Sequence, residues 1–146
     1  MSCDAVASAV FFWLASTSPI QVADTVAASP SAVAQEPLFA DIVSRAGELK
    51  TQVQAFRGAG SVSETFKQQV AELSALDMKA HVTLKERGAD GDLKCILKGI
   101  SEDLPLKLAA LTSASTPQAR EAAVTDLAYL LNDNVEVITA PPAPPV

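Results

Sequence analysis

Aromatic residues make up only 5% of this sequence, and histidine occurs once. So few aromatics disfavour a core of paired sheets, which draws on aromatic and β-branched side chains. One histidine, His81, and two cysteines, Cys3 and Cys95, leave little with which to ligate a transition metal. There is no C-x-x-C-H run, which excludes covalent haem. There is no Glu-x-x-His pair either, so a di-iron bundle has no support. The stretch "GAGS" at 58–61 neither follows a strand nor carries a lysine, so it is not a phosphate-cradling loop. Basic residues are scarce as well: 11 Lys and Arg stand against 17 Asp and Glu, giving a formal charge of −6. A nucleic-acid binder needs a basic surface to displace counterions from phosphate, so no nucleic-acid partner is expected. Anionic membrane surfaces would repel the chain on average.

What is present is aliphatic. Hydrophobic residues form 49% of the chain and charged residues 19%, a balance that buries a core and does not stay disordered. The apolar share is mostly Ala, Val and Leu, which suits helix faces. A length of 146 residues leaves room for one domain.

The N-terminal segment, residues 1–35, has its own character. "AVASAVFFWLA" from Ala5 to Ala15 is an apolar core of signal-peptide length, and "SAVAQE" supplies the small-x-small pattern Ala32-Val33-Ala34 of a cleavage site. Two features oppose simple export: no Lys or Arg precedes Arg45, and the gap from Ala15 to Ala34 is long. The uncharged run from Ala5 to Ala23 approaches the ~20 residues of a membrane span, but Ser, Thr and Pro19 make it a poor one. Membrane contact is therefore expected only through this segment, if it is retained. The expected location is secreted or periplasmic, with the cytoplasm as the alternative. Cleavage after Ala34 removes Asp4 and Asp24, leaves a formal charge of −4, and makes Cys95 the single cysteine, so no internal disulfide could then form.

Composition changes at Glu36, where a helical domain is expected over 36–135. Phe39, Ile42, Ala46, Leu49, Val53 and Phe56 share one helical stripe, with Pro37 in the first turn. Gly58 and Gly60 are expected to stop this helix by supplying a backbone that tolerates positive φ. Ser63 is placed to cap a second helix carrying Phe66, Val70, Leu73, Ala80 and Leu84, a stripe broken only at Asp77, where Leu76 takes over. "LDMKAHVTLK" at 76–85 also alternates like a strand, so a β-hairpin over 76–100 is the competing reading. The turn "RGADGD" leads into a third helix whose stripe is Leu93, Leu97, Ile100, Leu104, Leu108 and Leu111. A kink or short break is expected near Pro105, with Ser101 or Asp103 capping a restart. Thr116 and Pro117 open a fourth helix with Val124, Leu127 and Leu131, which Asn132 to Asn134 are expected to end. The fold expected is all-α, an antiparallel four-helix bundle, followed by an extended proline-rich tail over 136–146.

Few residues converge on chemistry. His81 lies beside the seam one turn after Asp77, and an ion pair or a solvated position is its expected state. Cys95, next to Ile96 and Leu97, reads as a buried inert thiol. The two flank the turn and could meet across antiparallel helices, which makes a Cys–His pair conceivable. Glu86, Asp90 and Asp92 gather oxygen ligands but lack the spacing of a calcium loop, so an acidic turn at a helix N-terminus is favoured. His81, Glu86, Asp90, Asp92 and Cys95 are the weak metal-ligand candidates; no cofactor and no catalytic residue is assigned. "PPAPP" serves as a spacer more readily than as a ligand for a polyproline reader.

Two functional classes follow. The favoured one is a non-enzymatic helical interaction or binding module, exported or membrane-proximal, whose partner is another protein or a second copy. The alternative is a small-ligand or metal-binding helical protein, or an enzyme, with a site between helices near His81 and Cys95.

Overall fold

The computed structural model of the protein describes residues 32–58, 60–89 and 91–140. These described residues contain four α-helices: α1 (Pro37–Val53), α2 (Glu64–Glu86), α3 (Leu93–Ser113) and α4 (Pro117–Thr139). No strand occurs among the described residues, so the hairpin reading of 76–100 gives way to helix, turn and helix. The helical stripe there is nearly twice as long as the alternating run, and burial follows the longer pattern.

Sequence signals mark the helix starts. Pro37 occupies the first turn of α1, where its missing N–H would have had no partner. The Ser63 hydroxyl accepts from the Phe66 amide at 3.2 Å, and the Thr116 hydroxyl accepts from the Ala119 amide at 3.1 Å. Each thereby satisfies one of the orphan donors of a first turn. The end of α1 differs from expectation. The chain tightens into a 3-10 turn over Gln54–Arg57, and Gly58 is extended with φ −82° and ψ −174°. Positive φ is found instead in the α2–α3 turn, at Gly88 (64°) and Gly91 (101°). Only there does the backbone use the freedom that glycine gives.

The helices form a closed square. α1 packs on α2 and α4, and α3 packs on the same two, while the diagonal pairs make no close backbone approach. Bonds to α4 from α1 and from the turn that follows it fix the antiparallel sense of the two helices. Lys50 reaches Asn132 at 2.7 Å, and Arg57, later in the chain, pairs with Glu121, which is earlier. Each helix contributes one aliphatic stripe to a single core: Phe39, Ile42 and Leu49; Phe66, Val70 and Leu73; Leu97, Leu104 and Leu111; Val124, Leu127 and Leu131. Phe56 lies just outside α1, half-buried, and meets Phe66 edge-on with ring centroids 4.9 Å apart. Ahead of α1, a 3-10 turn over Ala32–Gln35 lays Val33 and Ala34 against the core.

Two boundaries move. α3 runs without a break through Pro105, so neither Ser101 nor Asp103 begins a new helix. α4 does not stop at Asn132–Asn134 but continues to Thr139, burying Asn134 and Ile138 on the way. Residues 136–139 are thus helical and not part of an extended tail; residues 141–146 lie outside the described part.

Candidate functional site

Four polar side chains are buried among the described residues: Asp77 and His81 on α2, Ser101 on α3 and Asn134 on α4. The first surprise is Asp77. The heptad pattern places it on the seam, and the structure keeps it there, fully buried, with Leu76 only half-buried beside it. Asn134 occupies the matching position of α4, since Val124, Leu127, Leu131, Asn134 and Ile138 recur at helical spacing and are all buried. Its Nδ2 donates to Asp77 Oδ2 at 2.8 Å. α2 and α4 are diagonal in the square, so this bond crosses the middle of the bundle. The second oxygens, Asp77 Oδ1 and Asn134 Oδ1, have no hydrogen-bond partner among the described residues. Burial pushes the Asp77 carboxyl up to about 8, and the hydrogen bond from Asn134 only partly offsets it.

His81, one turn further along α2, does not pair with Asp77. It is 9% exposed, and its Nδ1 lies 2.6 Å from the carbonyl oxygen of Lys94 on α3. A carbonyl can only accept, so Nδ1 carries the hydrogen and donates. His81 is therefore neither the solvated residue nor the ion-pair partner that its sequence position suggests.

Cys95 follows Lys94 directly, so the α2–α3 turn does bring His81 to the backbone beside it. Cys95 is half-buried and disulfide-bonded, not a buried free thiol. A sulfur in a disulfide is not a thiolate nucleophile, and the conceivable Cys–His pair falls with it. Cys3 lies outside the described residues. Of the other candidate ligands, Glu86 and Asp92 are exposed at either end of the turn, and Asp90 lies outside the described residues. No three His, Cys, Asp or Glu side chains gather as a metal site among the described residues. No helix among them is long and apolar enough to cross a membrane.

The surface has shallow clefts elsewhere. One lies along α1 and α2 between Asp41, Arg45, Glu48 and Gln69. Two more adjoin the start of α4, one lined by Gly58, Gly60, Thr116 and Arg120 and the other by Arg57, Gln118, Glu121 and Thr125. Neither His81 nor Cys95 lines any of the three. The arginines in them are committed to neighbours: Arg45 to Asp41 and Glu72, Arg57 to Glu121, and Arg120 to the Gly60 carbonyl at 2.8 Å.

The outward faces of α3 and α4 carry Leu106, 65% exposed, and Tyr129, 67% exposed. Each is two residues from a buried seam position on either side or on one, which turns it away from the core. A bridge from Lys107 to Asp126 at 3.1 Å joins the same two helices. Comparison with protein-family models, with curated proteins and with solved structures gives no match.

Proposed function

We propose that the domain is a non-enzymatic helical interaction module that presents the outward faces of α3 and α4 to a protein partner or to a second copy of itself. The observation that carries this reading is the exposure of Leu106 and Tyr129, each about two-thirds open to solvent on adjacent helices. Tyrosine is among the residues that carry most of the binding energy when a partner covers them, and a leucine beside it adds apolar area to bury. The buried polar groups offer no comparable support for turnover. They are tied to one another or to backbone carbonyls, and they do not converge on a cleft.

An exported location is part of the same proposal. The disulfide at Cys95 supports it, because such bonds persist in oxidising compartments.

The test is site-specific photo-crosslinking in the native cells. A crosslinker at position 106 or 129 is expected to give a discrete adduct, with controls at Lys79 and Glu72 on the exposed face of α2 giving none. Equal labelling at all four positions would refute the surface. Loss of a cellular phenotype in a folded His81→Ala variant would shift the reading to a ligand site beside α3.

A further inference from the structure

The Asp77–Asn134 pair differs from every other polar contact in the bundle. It is fully buried on both sides, it joins two helices that are not neighbours, and it leaves one oxygen of each partner without a hydrogen bond. With Asp77 ionised, those two oxygens are both pure acceptors, and a negative charge sits in an aliphatic core. No cation answers it. On α1, Arg45 is taken by Asp41 and Glu72, and Lys50 donates to Asn132. On α3, Lys98 pairs with Glu102, and Lys94 donates to the Ala89 carbonyl. On α4, Lys and Arg are absent from the last turns, where Asp133 and Glu136 add only negative charge. On α2 itself, His81 spends its Nδ1 hydrogen on Lys94.

Protonation changes this balance. A neutral carboxylic acid has one O–H donor, and Asn134 Oδ1 is an acceptor without a partner. The amide already donates in the other direction, so an acid and an amide can satisfy each other with two bonds, where a carboxylate and an amide share only one.

We infer that Asp77 and Asn134 form a proton-dependent latch between α2 and α4, closed when the Asp77 carboxyl holds its proton and weakened when that proton leaves. The fold is then strongest in mildly acidic surroundings and loosens across its diagonal as the pH rises. The upward displacement of the Asp77 carboxyl agrees in sign. Below its ordinary value of 3.8, folded and unfolded chains both hold the proton and the pH has no leverage. From there to about 8, the unfolded chain releases the proton and the folded chain keeps it, so stability falls as pH rises. Above about 8 both have released it, and the loss levels off.

The experiment compares the full-length protein with Asp77→Asn, which keeps size and shape but cannot ionise. Chemical denaturation is followed at a series of pH values from acid to mildly alkaline. The wild-type folding constant is expected to fall relative to the variant by up to about tenfold per pH unit within the window, because one proton is linked to folding. Taking the difference removes the contribution of the other carboxylates. Carbon-13 NMR of the aspartate carboxyls in the folded wild type gives a second readout that does not require the variant to fold. One aspartate should titrate far above the rest, and its signal should move with Asn134→Ala. Parallel stability curves, or all aspartates titrating together in the ordinary acid range, would overturn the latch.

Discussion

Ser74 on α2 donates its hydroxyl hydrogen to the carbonyl oxygen of Ser101 on α3 at 2.7 Å. Ser101 is the residue four positions before Pro105, so its carbonyl is the one that proline, having no N–H, leaves without a helical donor. The neighbouring helix supplies what the sequence of α3 withholds. This explains why α3 passes through Pro105 without the break that its sequence suggests.

That relationship predicts a coupling. Ser74→Ala should destabilise the bundle by ~1–3 kcal/mol, because it leaves a half-buried region with an unsatisfied carbonyl. In a Pro105→Ala background the alanine amide can donate to Ser101, and the same Ser74→Ala change should cost markedly less. A double-mutant cycle from denaturant midpoints measures the difference. Additive effects of the two substitutions would show that Ser74 does not compensate for the proline.

The core makes a simpler demand. Leu49 on α1 is 2% exposed and Leu97 on α3 is fully buried, so Leu49→Ala and Leu97→Ala each leave a cavity among packed neighbours. Each is expected to cost ~2–5 kcal/mol, a large share of the ~5–15 kcal/mol that holds a typical domain. Midpoints indistinguishable from wild type would contradict the shared core. Tyr129→Ala, on the outward face, provides the comparison and should leave the midpoint nearly unchanged.

Most of the architecture was legible in the sequence because burial repeats with the helix. Phe39, Ile42, Ala46, Leu49 and Val53 are all buried as their spacing requires, and Ser63, Thr116 and Pro117 start helices as their chemistry requires. Readings failed where a side chain's role depends on a distant partner. Asp77 looked like a break in a stripe, and Asn134 looked like a helix end. Their shared signal, a polar residue at a seam position in each of two helices, acquires meaning only once α2 and α4 are known to face each other across the core. Pro105 looked like a break because its remedy, Ser74, lies 31 positions earlier on another helix. His81 looked solvated because nothing local reveals that the Lys94 carbonyl will face it.

The disulfide at Cys95 leads to a prediction about the N-terminal segment that runs against its signal-like sequence. The chain has one other cysteine, Cys3. Within this sequence an intrachain bridge would join Cys95 to it, and cleavage after Ala34 would then separate the two. Such a cut would also take Val33 and Ala34 away from the core they pack against. Retention of residues 1–34 is the expected outcome. Protein purified from its native cells with free thiols blocked should keep its N-terminus and gain two hydrogens on reduction, and a non-reducing digest should link the peptides of Cys3 and Cys95. Cys95→Ser should abolish the link while leaving the helical circular dichroism in place, because the four stripes and not the bridge form the core. A mature chain beginning at Gln35, with Cys95 free or joined to a second copy, would overturn this expectation and restore cleavage as the fate of the segment.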